Sequence, residues 1–238
     1  IDAFHQARQS FEASLNEVEQ HLEDSDDAIN IQRLTQLETL YGSWSALPET
    51  LVELHDNPRQ NQPALQLYYS EVRPLSVIIS GEISNMIDLQ REQEASIEQS
   101  DLLNSMISFQ TSFESMMSNL QAYATVGDLH FKSGYTTRLS INAAAWGKLH
   151  QSRDQLTTVQ QTQLDTIAAA RDELFDIPFD IFTATEGERA YEDLYLFGTE
   201  AQPQADAMLL LLNEISADQQ TLLQADLNEG HARLTQTQ

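Results

Sequence analysis

Cysteine is absent from the 238 residues. That excludes disulfides, thiol nucleophiles and cysteine metal sites, and leaves the compartment open. Basic residues are scarce: 12 Lys and Arg stand against 37 Asp and Glu, a formal net charge of −25. A chain of that sign repels phosphate backbones and anionic headgroups, and no basic stripe offsets it, so nucleic-acid binding is excluded as a function class. Long apolar runs are missing too. The longest, Met208 to Leu212, falls far short of the roughly 20 residues that cross a bilayer. No N-x-[ST] sequon, G-x-S-x-G elbow, Walker loop, dinucleotide fingerprint or kinase signature occurs, so no catalytic role is expected. The sequence begins with Ile1 and reads as an excised piece or mature fragment, with membrane segments expected outside it.

What is present is helix-forming. Hydrophobic residues make up 41%, enough for a core, while Gly and Pro number only 8 and 6. The spacing predicts an all-α fold of about six helices. The first spans about 1–23, with Phe4, Phe11, Leu15, Val18 and Leu22 on one face. The run Asp24-Ser25-Asp26-Asp27 reads as a cap-rich break, because a calcium loop would need a glycine and a terminal Glu that are missing. A second helix follows to about Leu51, kinked at Pro48. The third is expected to be the longest, from about Ala64 to Thr125, bent or broken near Pro74 and continuous through a polar waist at Asp88–Glu94. After the Gly127-Asp128 turn come helices to about Asp154, from about Leu156 to Phe175, and from somewhere between Glu188 and Pro203 toward Arg233.

One internal similarity organises these helices. Ser70-Glu71-Val72-Arg73-Pro74 and Thr199-Glu200-Ala201-Gln202-Pro203 share the form [ST]-E-[VA]-[RQ]-P. Each follows an earlier proline, Pro48 or Pro178, by nearly the same distance. We read two copies of a helix-hairpin module offset by about 129 residues. The implied architecture is two stacked four-helix bundles sharing two long helices. Module one covers about 1–95 plus the end of the last helix, and module two about 96–220. Both termini are expected at one end.

The run Leu120-Gln121-Ala122-Tyr123-Ala124-Thr125-Val126-Gly127-Asp128, with Phe131, Tyr135 and Trp146 after it, resembles a pattern in four-helix-bundle sensor domains. Such domains lie outside the membrane in bacterial chemoreceptors and sensor histidine kinases. The doubled arrangement is most similar to their helical bimodular sensor domain. The resemblance implies a periplasmic, usually homodimeric, ligand-sensing domain of an inner-membrane receptor, tethered by segments outside this chain. It also implies a small organic acid bound between helices and signalled by helix displacement. It transfers no ligand-contacting residue by position.

A carboxylate ligand calls for a guanidinium clamp. Four arginines fall on predicted bundle helices: Arg8, Arg33, Arg138 and Arg171, with Tyr135 and Thr137 as neighbours of the third. For each one singly, a solvated arginine or a surface ion pair is the simpler reading. Glu17 and His21 lie one helical turn apart, but no second His completes a metal motif, so no metal or cofactor is expected. Met106, Met116 and Met117 with Phe109 and Phe113 read as bundle core. Two rival functions stay open: a sensor that docks a periplasmic binding protein or other protein partner, and a structural helical interaction domain. A buried arginine between helices favours the small ligand; an exposed apolar patch at the domain tip favours the protein partner.

Overall fold

The computed structural model describes residues 2–23, 27–94 and 96–236. Among the described residues all regular structure is helical: α1 (Asp2–Glu23), α2 (Ala28–Trp44), α3 (Leu47–Asp56), α4 (Pro58–Asn61), α5 (Pro63–Leu67), α6 (Arg73–Arg91), α7 (Ile97–Val126), α8 (Leu129–Gln151), α9 (Thr158–Leu174), α10 (Ile177–Glu186), α11 (Glu192–Leu196) and α12 (Gln202–Gln236). The all-α fold expected from composition is therefore observed. Asp27 caps α2 by accepting from the Asn30 N–H, as its place in the cap-rich break suggests. Asp24, Ser25 and Asp26 lie outside the described residues. No helix among the described residues is long and apolar enough to cross a membrane.

The chain divides into two compact units, Leu54–Tyr195 and Ile1–Glu53 with Leu196–Gln238. The larger unit holds an up-down-up-down bundle of α6, α7, α8 and α9. Its largest departure from the sequence reading is at residues 92–96. The segment 64–125 is not one strut but two antiparallel helices, α6 and α7. Ser96 caps α7 by accepting from the Gln99 N–H. Across the hairpin, Gln90 Nε2 meets Gln99 Oε1, Gln110 Nε2 donates to Ser84 Oγ at 3.0 Å, and Gln121 Nε2 to Tyr69 Oη at 3.3 Å. The polar waist is thus the last turn of α6 and the end of that helix. The unit boundary accordingly falls near Leu54 and Tyr195, not at 95, because α6 packs on α9.

Gly127 closes α7 with φ 67°, the left-handed conformation that a side chain disfavours, and its N–H bonds Tyr123 O at 2.8 Å. Asp128 then caps α8 through the His130 N–H. Thr157 and Gln160 form a reciprocal capping box at the start of α9. Ile79, Ile83, Met86, Met106, Phe109, Phe113, Leu120, Leu164 and Ile167 meet in the core with almost no exposure. Each such side chain stabilises by roughly 1.5–3 kcal/mol on burial. Met116 and Met117 lie in the same core, which is the packing role their spacing suggests. α10 crosses the end of the bundle, and its Phe182 stacks edge-on to Tyr123 and Tyr135.

The smaller unit has three long helices. Leu22 of α1, Leu34 and Leu37 of α2 and Met208 of α12 form its core. Phe4 and Arg8 share a cleft with Ala205 and Met208, whereas Val18 and Leu22 share one with Ile215 and Gln219. α1 and α12 therefore run in the same direction. Their outer ends lie at opposite ends of this unit, which corrects the expectation of a common end.

The internal repeat extends well beyond its motif. α2 and α9 have the same length and lie 130 residues apart, as do α3 and α10. Leu34 and Leu37 are buried where Leu164 and Ile167 are buried, and the polar Asn30 and Gln160 are both fully enclosed. The two [ST]-E-[VA]-[RQ]-P runs each carry a π-helical segment, Tyr68–Val72 and Phe197–Ala201, two residues before the proline. Arg73 N–H reaches back to Tyr68 O, and Gln202 N–H to Phe197 O. Proline has no N–H and its ring crowds the carbonyl four residues back. A widened turn just ahead relieves that clash without ending the helix. Pro48 and Pro178, by contrast, sit in the first turns of α3 and α10, where proline is tolerated.

Candidate functional site

Of the four arginines expected to clamp a ligand, two are taken by carboxylates of this chain. Arg8 bonds Glu12 at 3.1 Å and Glu49 at 2.9 Å. Glu12 also accepts from the Tyr41 hydroxyl at 2.5 Å, which with Arg8 holds its carboxyl below the ordinary range. Arg33 ties α2 to α12 through Glu214 at 2.9 Å and Asp218 at 2.5 Å. Both are structural ion pairs as they stand. Arg138 and Thr137 are exposed, and the Thr137 hydroxyl turns back to Ser133 O on its own helix. Neither belongs to an enclosed site.

Arg171 differs. It projects from α9 and is half-buried, and no carboxylate among the described residues forms an ion pair with it. Its Nη1 donates to Asn142 Oδ1 of α8 at 2.5 Å. The guanidinium carbon lies 4.7 Å from the Trp146 ring centroid and 5.3 Å from that of Phe109. Aromatic faces attract a cation there, but only weakly compared with a carboxylate. Burial is the dominant influence and pushes the Arg171 pKa down to about 10; Asp172 acts on it only at a distance. Tyr135 lies close enough to feel this charge. Burial pushes its hydroxyl up to about 12, and Arg171 pulls the other way.

Of the six positions expected from the sequence, the structure brings Arg171 and Tyr135 near one another. Asn142, Trp146, Phe109 and Ser112 complete the cluster and were not singled out as site residues. Asn142 is fully buried. Its Nδ2 donates to Phe109 O at 3.2 Å and Ser112 Oγ at 3.0 Å, which fixes the amide so that its oxygen faces Arg171. An asparagine in the middle of an apolar-striped helix was the available signal, since helix interiors disfavour it without a partner. Chemically the cluster is a desolvated cation held by a neutral acceptor between aromatic walls. It offers unused guanidinium donors to an anion.

Elsewhere, Glu17 and His21 line an open cleft in the smaller unit. Among the described residues no three His, Asp or Glu side chains gather as metal ligands would. No protein-family model, curated protein or solved structure matches the chain.

Proposed function

We propose that the chain is the extracytoplasmic sensor domain of a transmembrane receptor, of the helical bimodular kind that its sequence resembles, and that it binds a small organic acid at Arg171. The observation that carries this reading is the half-buried Arg171 without a carboxylate of its own. Leaving a guanidinium partly desolvated beside a neutral amide costs stability that an ion pair would have offset. A carboxylate ligand supplies the missing charge and takes up free donors in a bidentate contact.

The same contact is able to signal. Phe109, Asn142 and Arg171 come from α7, α8 and α9, so a ligand drawing the guanidinium toward itself acts on three helices at once. Packed helices shift as bodies between discrete arrangements, and the ligand biases the balance by its differential contacts. A homodimer, a membrane tether outside these residues and a periplasmic setting belong to this proposal, as does the absence of catalysis.

The test is a thermal-shift titration against small mono- and dicarboxylates. Ligand at 100 times its dissociation constant stabilises by about 2.7 kcal/mol, a shift of several degrees for a chain of this size. Arg171→Lys, which keeps charge and loses the fork, abolishes the shift, and Arg138→Ala leaves it intact. A carboxylate panel that moves neither protein overturns the reading and turns the search to protein partners.

A further inference from the structure

Three of four expected helices fill the smaller unit. In the larger unit, α7 lies between α6 and α8 and runs against both. The repeat makes α12 the counterpart of α6, α2 that of α9 and α1 that of α8. Among the described residues of the smaller unit no helix corresponds to α7. In its place is an open apolar trough between α1 and α12. One stretch of about 520 Å³ is lined by Leu15, Val18, Ile215 and Gln219 and floored by Leu37. A second stretch of about 380 Å³ continues it past Phe4, Trp44 and Met208, the two sharing Phe11 and Leu212.

The chemistry of the trough repeats that of the filled seat. Leu212, Ile215 and Gln219 stand 129 residues after Ile83, Met86 and Gln90. Ile83 and Met86 are fully buried in the core that α7 completes, and Gln90 bonds Gln99 of α7. α7 is also joined to α8 by the two-residue link Gly127-Asp128, so the missing helix has a defined attachment point.

We infer that the trough is the seat of a further amphipathic helix, joined directly ahead of α1 in a longer polypeptide and running antiparallel to α1 and α12. It carries an apolar stripe like that of α7. It also brings the chain back to the end where α12 finishes, which the parallel course of α1 and α12 otherwise prevents. The inference rests on the repeat and the trough and is independent of any ligand at Arg171.

The register for a test is set by the repeat. A fusion copies residues 97–130 ahead of Ile1, so that the added helix enters α1 as α7 enters α8. A single cysteine placed by Val18→Cys reports on the trough, since the chain has no other. The unfused Val18→Cys protein is labelled rapidly by a thiol reagent. In the fusion, labelling slows at least about tenfold and the melting temperature rises by on the order of 5 °C. A second fusion, with M106D and F113D in the added copy, behaves as the unfused chain. Equal labelling of all three proteins overturns the inference. So does a sedimentation equilibrium in which the unfused chain is a dimer that Val18→Glu dissociates, because the trough is then filled by a second copy.

Discussion

Arg171 and Asn142 are bonded at 2.5 Å, and 130 residues earlier in the chain Tyr41 and Glu12 are bonded at the same distance. The repeat has kept a polar contact between its first and second helices while exchanging the chemistry of both partners. In one copy a hydroxyl donates to a carboxylate that Arg8 also neutralises. In the other a cation donates to an amide, and the charge is left without its opposite. One copy is electrically complete and the other is not.

That asymmetry predicts opposite signs for two substitutions at one contact. Asn142→Leu removes the acceptor of Arg171 and a donor to Phe109 O and Ser112 Oγ inside the core. It is expected to cost about 3 kcal/mol. Arg171→Met removes a desolvated cation at the loss of one bond and is expected to stabilise by on the order of 1 kcal/mol. The double variant lies well above the sum of the two, with a coupling of about 1–2 kcal/mol. Urea unfolding of the four proteins checks this, and simple additivity disproves it.

Alkaline stability follows from the same burial. Tyr123 and Tyr135 are pushed up to about 12, chiefly by burial and, for Tyr123, by its bond to Glu186. The unfolded chain releases these protons near the ordinary tyrosine value of about 10. Their contribution is therefore complete below about pH 10 and is lost as pH rises toward about 12. Arg171, with its folded value near 10 and a higher unfolded one, acts with the opposite sign in that window. Two tyrosines against one arginine leave a net decline. Tyr123→Phe makes the decline shallower, and melting curves with tyrosinate absorbance across this range would show it.

Acid stability has a separate set of residues. Arg153 holds Asp165 below the usual carboxylate range through two bonds of 2.5 and 2.8 Å. The Asn30 backbone does so for Asp27, and Lys132 for Glu186. These contributions are present above the ordinary carboxylate pKa and disappear as pH falls through the lowered folded values. Asp165→Asn is expected to lower the melting temperature at neutral pH and to flatten its fall in acid. An unchanged acid slope in calorimetry would contradict the assignment.

The capping box at α9 carries an amide network with it. Gln160 Oε1 accepts from the Thr157 N–H at 3.0 Å, while its Nε2 donates to Met86 O and Gln90 Oε1 at 3.2 and 3.0 Å. Thr157→Ala is expected to cost about 1 kcal/mol, the loss of a cap. Gln160→Leu costs about 2–3 kcal/mol, because Gln90 and Met86 then lose partners inside the protein. Chemical denaturation distinguishes the two, and equal costs would mean that the network adds nothing.

Periodicity made the helices and much of the core legible, since 3.6-residue stripes are a direct consequence of burying one face. The prolines likewise announced the repeat, because their constraints are local. The break between α6 and α7 was hidden because the sequence from Glu92 to Ser96 contains neither glycine nor proline. Its one local sign was the capping pattern Ser96-Ile97-Glu98-Gln99. Arg171 was legible as a helix arginine, but its isolation was not. Whether a charge has a partner depends on which acids fold near it, and in so acidic a chain every arginine has candidates. Arg8 and Arg33 found theirs 41 and 185 residues away.

The widened turns before Pro74 and Pro203 also set a phase. A helix advances about 100° per residue, so one additional residue in a turn rotates everything beyond it by that angle. The apolar stripes of α6 and α12 are therefore written in a different reading frame from those of α5 and α11, which precede them. Removing a single residue from either π-helical segment would not shorten the protein so much as re-aim it, turning the buried face of a whole long helix toward water.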